Sequence, residues 1–260
     1  SDRFRADLPA NSVRIIVEDE ESPLPLISSD AKRNDGRETS LFRPIFLEVG
    51  FISRASGSAF AEYRNSKVVC SVSGPRPTGA GENFTDIGIL HCHFKYSTFA
   101  RKDCRKGYLQ DDEEKEYSVI LEESLSSCLC LEKYPKSRFD CFIQVLEDDG
   151  SVLPASITAA SLAFADAGIE MFDIVTACSA ALVKGHEDKH TIVLDPDWKE
   201  QSNSIGMLTL VYSPSISSIT NLLQTGYFTG PELAEAIELC QDGCIKLYQI
   251  VSQTLTNKLS

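Results

Sequence analysis

Residues 35–77 read DGRETSLFRPIFLEVGFISRASGSAFAEYRNSKVVCSVSGPRP, and the fold turns on how this stretch is read. Ile45 to Ile52 and Ala59 to Tyr63 favour strand, and Ser56-Gly57-Ser58 between them reads as a turn. Lys67 to Ser73 is β-branched, bounded by Asn65-Ser66 before it and by the turn signal Gly74-Pro75 after it. The pattern predicts an antiparallel meander. A polar, arginine-bearing segment precedes its first strand.

Downstream, Ile87 to Tyr96 alternates like a strand. Asp111 to Glu132 has apolar residues at helical spacing and an acidic first turn that suits the helix dipole. Pro135 forbids its continuation. Phe139 to Leu146 is apolar on both faces except Asp140 and Gln144, so helices are expected to cover it on both sides. Asp148-Asp149-Gly150 then turns into a helix near Pro154. Its run of alanines, Ala155, Ala159, Ala160, Ala163 and Ala165, predicts burial against a sheet, with Gly168 as its cap. Strands are expected at Phe172 to Val183, Thr191 to Leu194, Ile205 to Tyr212 and Ile216 to Thr225. A capping box at Thr229 to Glu232 opens a long last helix, with Leu233, Ile237, Cys240, Cys244, Leu247 and Val251 on one face. The fold class is α+β, with two similar βα halves in one domain.

Upstream, residues 1–34 are polar, with an acidic run at 18–21 and Pro23 and Pro25. They read as an extended arm holding at most one short strand, Val13 to Val17, so the domain is expected to span 35–260. No secretory signal is evident in the opening residues, and no apolar run approaches the roughly 20 residues that span a bilayer. Nine cysteines at irregular spacings predict free thiols in a reducing compartment. The net charge of −13 excludes a protein that grips nucleic acid with its whole surface. Any RNA contact would have to be local, and the basic cluster Arg101, Lys102, Arg105 and Lys106 is the candidate for touching phosphates.

Other motifs yield no chemistry. Gly79-Ala80-Gly81 lacks the lysine of a P-loop and precedes a strand, so it reads as a plain loop. His91 and His93 share a strand face without an evident third ligand. His186-Glu187-Asp188-Lys189-His190 matches a zinc-protease string but sits between Gly185 and a strand, where it reads as a hairpin tip. There is no Gly-x-Ser-x-Gly elbow.

Asp35-Gly36-Arg37, Arg43-Pro44, Glu48-x-Gly50, Gly57-Ser58-Ala59 and Gly74-Pro75-Arg76, in this order, resemble the opening of the RNase PH family of phosphorolytic 3′ exoribonucleases. The resemblance implies an RNase PH-like fold of mixed sheets and buried helices. It also implies an anion site at the start of the alanine-rich helix, where an arginine and backbone amides of active members hold phosphate. Here the turn is Asp149-Gly150-Ser151-Val152-Leu153-Pro154, with Leu153 at the arginine position. Active members also carry two aspartates for metal and acid catalysis, and their positions fall on Gln201 and Gly206, although Asp195, Asp197 and Glu200 survive nearby.

Lys133 to Ser137, Asp140 and Ala160 to Met171 are more specifically similar to a ring subunit of the eukaryotic exosome within that family. This resemblance implies a subunit that is not an enzyme and holds no cofactor or metal. Its partners would be other RNase PH-like subunits in a hetero-hexameric ring, OB/KH-type caps, separate nucleases and single-stranded RNA. Its place would be the nucleus and nucleolus, and also the cytoplasm. The alternative is an active phosphate-dependent 3′ exoribonuclease.

Overall fold

The computed structural model describes residue 33 and residues 35–77, 86–184 and 190–259. The expected strand Val13 to Val17, the loop at 79–81 and residues 186–189 of the histidine string lie outside them.

The first half carries β1 (Ile45–Val49), β2 (Gly57–Tyr63), β3 (Ser66–Pro77), β4 (Ile89–Tyr96), α1 (Asp112–Ser126), β5 (Ser137–Glu147) and α2 (Val152–Asp166). Its five-stranded sheet runs β1-β2-β3-β5-β4. All pairs are antiparallel except β4 with β5, which α1 joins as a crossover. The second half carries β6 (Thr176–Lys184), β7 (His190–Leu194), α3 (Trp198–Ser202), β8 (Gly206–Ser213), β9 (Ser218–Gly226) and α4 (Gly230–Leu259). Its antiparallel sheet runs β7-β6-β8-β9.

The alanine-rich α2 is buried from Val152 to Phe164 and packs on β2 and β3 of one sheet and on β6 of the other. Small side chains let both sheets approach it. Gly57 shows how close: a Cβ there would overlap the Ala163 carbonyl and the Ala167 amide. The turn expected at Ser56-Gly57-Ser58 is therefore corrected, because Gly57 and Ser58 belong to β2 and the glycine serves helix packing. Asp166 at the helix end accepts from the Ser58 amide at 2.9 Å. On the second sheet, α4 opens with one half of the expected capping box, the Thr229 amide donating to Glu232 Oε2 at 2.9 Å, while the Thr229 hydroxyl donates to the same oxygen at 2.6 Å. It then buries Cys240, Cys244, Leu247 and Val251. All nine cysteines are free, eight of them buried as small core residues and Cys104 exposed.

Three further expectations are corrected. The helix expected at 111–132 ends at Ser126, because residues 128–130 pair with 170–172 instead. The Cys130 amide donates to the Glu170 carbonyl and the Phe172 amide to the Cys128 carbonyl. β3 runs on through Gly74-Pro75 to Pro77, its register against β5 shifting between Ser73 and Arg76. β5 is covered on one face alone among the described residues, since Phe142 is 47% exposed.

A buried ionic clamp joins the two halves. Arg43, fully buried, donates from Nε and Nη2 to the Asp195 carboxylate at 2.9 and 2.7 Å. Its Nη1 and Nη2 also reach the carbonyls of Asp149 and Gly150, at 2.8 and 3.0 Å. One guanidinium thus ties the segment before β1 to the turn before α2 and to the loop after β7. Arg33, 3% exposed, pairs with Glu200 and donates to the carbonyls of Leu194 and Asp195, so the expected arm reaches into the domain at this residue. Arg37 bonds Asp197 at 3.1 Å and Asp35 at 3.0 Å.

Burial alone would raise the Asp195 carboxyl, but the charge and hydrogen bonds of Arg43 outweigh it and hold the group below its usual range. Asp197 goes the other way. Burial and the hydrogen bond shared with Asp35 push it up to about 7 against the opposing arginines.

Removing one partner of a buried pair strands the other, at a cost of about 3–5 kcal/mol. Arg43→Ala is expected to lose about that much in urea unfolding. Arg43→Lys should recover only part of it, because one ammonium cannot span the four acceptors that the planar fork reaches. The Asp197 shift has an opposite signature. A carboxyl with a raised folded pKa stabilises at acid pH and loses that contribution as pH rises from its ordinary value near 4 towards about 7. Asp197→Asn, which mimics the protonated form, should therefore melt higher relative to the parent at pH 8 than at pH 5. An equal difference at both pH values would refute the shared-proton arrangement.

Candidate functional site

At the N-terminus of α2 the two halves enclose a cavity of about 510 Å³. It is lined from α2 by Leu153, from α3 by Gln201 and from β8 by Gly206, so the three positions singled out in the sequence do meet in one place. Arg101, Asp103, Glu116 and Asp148 supply its charges, and Ile205, Met207 and Leu223 part of its apolar wall.

The helix start shows how this cavity differs from an anion site. Ser151, the residue before the helix, is left-handed, with φ of 54°. Its amide donates to Gln201 Oε1 at 3.3 Å, and its hydroxyl donates to the Pro196 carbonyl at 3.0 Å. The Ser151 amide is therefore already engaged by a carboxamide, and Pro154 has no N–H in the first turn. Leu153 presents an aliphatic side chain, 8% exposed, which can neither donate to nor neutralise phosphate. At Gly206, a Cβ would stand 2.6 Å from the Phe228 ring and 2.7 Å from the Tyr227 carbonyl, so no carboxylate fits without moving the β9–α4 connection. The surviving acids are spent elsewhere. Asp195, Asp197 and Glu200 bind Arg43, Arg37 and Arg33 respectively.

The basic cluster is dispersed by its own neighbours. Arg101 donates to Asp148 at 3.1 Å and to both Glu113 oxygens at 3.1 and 2.6 Å, with its guanidinium carbon 4.8 Å from the centre of the Tyr96 ring. Burial works against the Arg101 charge, but Tyr96, Glu113 and Asp148 outweigh it and raise the pKa further. Lys106 bonds Asp111 and Glu113, at 3.1 and 3.0 Å. Lys102 reaches Asp149 at 2.8 Å from an exposed position, and Arg105 is exposed. In the cavity lining, one cation faces three carboxylates. That balance disfavours an incoming phosphate. The acidic first turn of α1, read in sequence as helix-dipole support, has this second role of holding Arg101 and Lys106.

The histidines are not gathered. His91 lies 3.8 Å from Glu122, His93 stacks on Phe142 with ring centres 5.1 Å apart, and His190 Nδ1 sits 3.0 Å from Glu232. Among the described residues no group of three or more His, Cys, Asp or Glu side chains is placed to hold a metal ion. What sequence reasoning missed is the ionic clamp. Its one signal was the presence of arginines at 33, 37 and 43 and of acids at 200, 197 and 195, some 160 residues away.

Comparison with known proteins agrees with this architecture. The model described as "3' exoribonuclease family, domain 1" matches residues 41–170, and that of domain 2 matches residues 173–243. The two domain descriptions divide the chain between α2 and β6, where it had been read as one domain of two halves. "Exosome complex component RRP41-like" of Arabidopsis thaliana is 38% identical over 242 residues, covering 92% of this chain and 91% of that protein. "Exosome complex component MTR3" of Homo sapiens is 35% identical over 262 residues, covering 95% of each. Among solved structures, rice Rrp46 superposes with a TM-score of 0.77 at 24% identity, over 86% of this chain and all of that one. An Archaeoglobus fulgidus exosome with RNA bound to the active site superposes at 0.71 and 20% identity, over 85% and 92%. With both family models matched and relatives alike along nearly its whole length, the chain belongs to the RNase PH-type 3′ exoribonuclease family.

Proposed function

We propose that this chain is a non-catalytic subunit of an exosome core ring. It would stand beside other RNase PH-like subunits in a hetero-hexamer and help to frame a channel for single-stranded RNA. The ring would carry OB/KH-type caps and hand RNA to separate nucleases, in the nucleus, the nucleolus and the cytoplasm. One observation carries the reading. Where a phosphorolytic member of the family holds phosphate, this chain has Leu153, an amide already bonded to Gln201, and a single cation neutralised by its neighbours. A domain that begins near residue 35 and works without a cofactor belongs to the same reading. An active phosphate-dependent exoribonuclease is the second reading, favoured by membership of a family described as 3′ exoribonucleases.

Native mass spectrometry of the complex purified through a tag on this chain tests the ring reading. One copy among several distinct homologous subunits is expected, and a homo-hexamer would overturn it. Activity is tested by incubating the purified chain with 5′-labelled oligouridine and inorganic phosphate. No nucleoside diphosphate should form, and Leu153→Arg alone should not create activity, because the position of Gly206 still has no room for a carboxylate. Phosphate-dependent shortening by the parent chain would establish the enzymatic reading instead. For RNA contact we propose Lys102 and Arg105, the exposed members of the basic loop. Reversing both to glutamate should weaken protection of RNA by the assembled ring, most visibly at low salt. Arg101→Glu should instead cost stability, since its guanidinium bridges Glu113 and Asp148.

A further inference from the structure

α1 and α2 pack on one face of the five-stranded sheet, and among the described residues its opposite face has no covering element. The pairings lay out that open face. Phe60 lies opposite Val69 and Val69 opposite Gln144, while Ser71, Phe142 and His93 form the next row. At its β1–β2 end three phenylalanines meet. The Phe60 ring stacks on Phe51 with centres 5.4 Å apart and an interplanar angle of 25°, and meets Phe46 edge-on at 6.4 Å and 62°. Phe46 is 54% exposed and Phe51 53%. Each ring carries apolar area whose removal from water is favourable by about 25 cal/mol per Å², and such clusters mark contact surfaces.

The charges between the rings decide what the surface can meet. Glu48 pairs across the strands with Phe60, and Glu62 with Phe46, so both carboxylates share the face with the aromatic cluster. The cation opposite Glu62 is Lys67, already bonded to Glu147 at 3.1 Å. The Glu48 carboxylate has no hydrogen-bond or ion-pair partner among the described residues. Aromatic platforms accept nucleobases where a cationic groove neutralises the phosphates, and here the interleaved groups have the opposite sign. A second copy of this chain is equally unsuited, because its net charge of −13 would oppose two such faces.

We propose that Phe46, Phe51 and Phe60 form a docking surface for another protein subunit of the assembly, whose contacting segment carries aliphatic side chains flanked by lysine or arginine. The proposal rests on the ring-subunit reading and names a surface for it. The aromatic rings supply desolvated anchors at the centre of the contact, and Glu48 and Glu62 supply a rim that selects a basic partner and rejects acidic ones.

The test uses the full chain co-expressed with its partner subunits and purified through a tag, in the parent form and as Phe46→Ser/Phe51→Ser and Glu48→Lys/Glu62→Lys. Native mass spectrometry reads subunit content at rising ammonium acetate, and hydrogen exchange reads protection across residues 45–62. Both side-chain pairs are at the surface, so each isolated variant should melt within about 2 °C of the parent. The expected result is at least tenfold less of one basic subunit in both variants, loss of the same subunit from the parent at high salt, and loss of the 45–62 protection with it. A ring of unchanged content in both variants overturns the docking surface and leaves the ring reading intact. A parent chain recovered alone or as a homo-oligomer overturns both. If instead the sole change is weaker binding of a 20-nucleotide oligouridine by the phenylalanine variant, the surface meets RNA and the protein-docking proposal fails.

Discussion

The Arg43 guanidinium is the constraint on which the junction between the halves depends. It leaves water completely and is repaid by two carboxylate oxygens of Asp195 and two carbonyls of the turn before α2. A charge buried in this way is tolerable only with every donor near an acceptor, so the three chain segments that meet it are fixed together. Arg33 and Arg37 extend the arrangement to Glu200 and Asp197, and α3 is capped by the same Asp197 and Glu200. The acids that follow β7 therefore act as structural counter-ions. Their persistence in the chain says nothing by itself about catalysis.

The cavity beside this clamp takes its character from the same geometry. Asp197 begins α3, α3 carries Gln201, and Gln201 reaches the amide of Ser151 at the start of α2. A helix N-terminus surrounded by cations would be an anion site. Here a carboxamide, a leucine and an over-neutralised arginine surround it, and the field of the lining is negative. Packing reinforces the difference, since Gly206 lies against Phe228 and Tyr227 where a longer side chain has no space.

The α+β class, the meander, the alanine-rich central helix and the capped closing helix were legible because each rests on local periodicity or on turn and cap chemistry. Strand and helix limits were less so. Gly57 looks like a turn residue, yet it sits in β2 because α2 passes too close for a side chain. Residues 128–130 continue a helical pattern, yet they pair with 170–172, a choice made by chain brought back by α2. The basic loop read as one patch and is in fact divided among Glu113, Asp111, Asp148 and Asp149.

The sequence by itself determined the element types, the family and the identity of the three unusual residues, Leu153, Gln201 and Gly206. Side-chain chemistry and short-range spacing suffice for those. Only the tertiary structure decided that the three line one cavity, that Asp195, Asp197 and Glu200 are held by arginines, and that an aromatic sheet face is left uncovered among the described residues. The arginine–acid pairs alone join residues 152 to 167 positions apart, and no local pattern encodes which acid an arginine will meet once the two sheets close on α2.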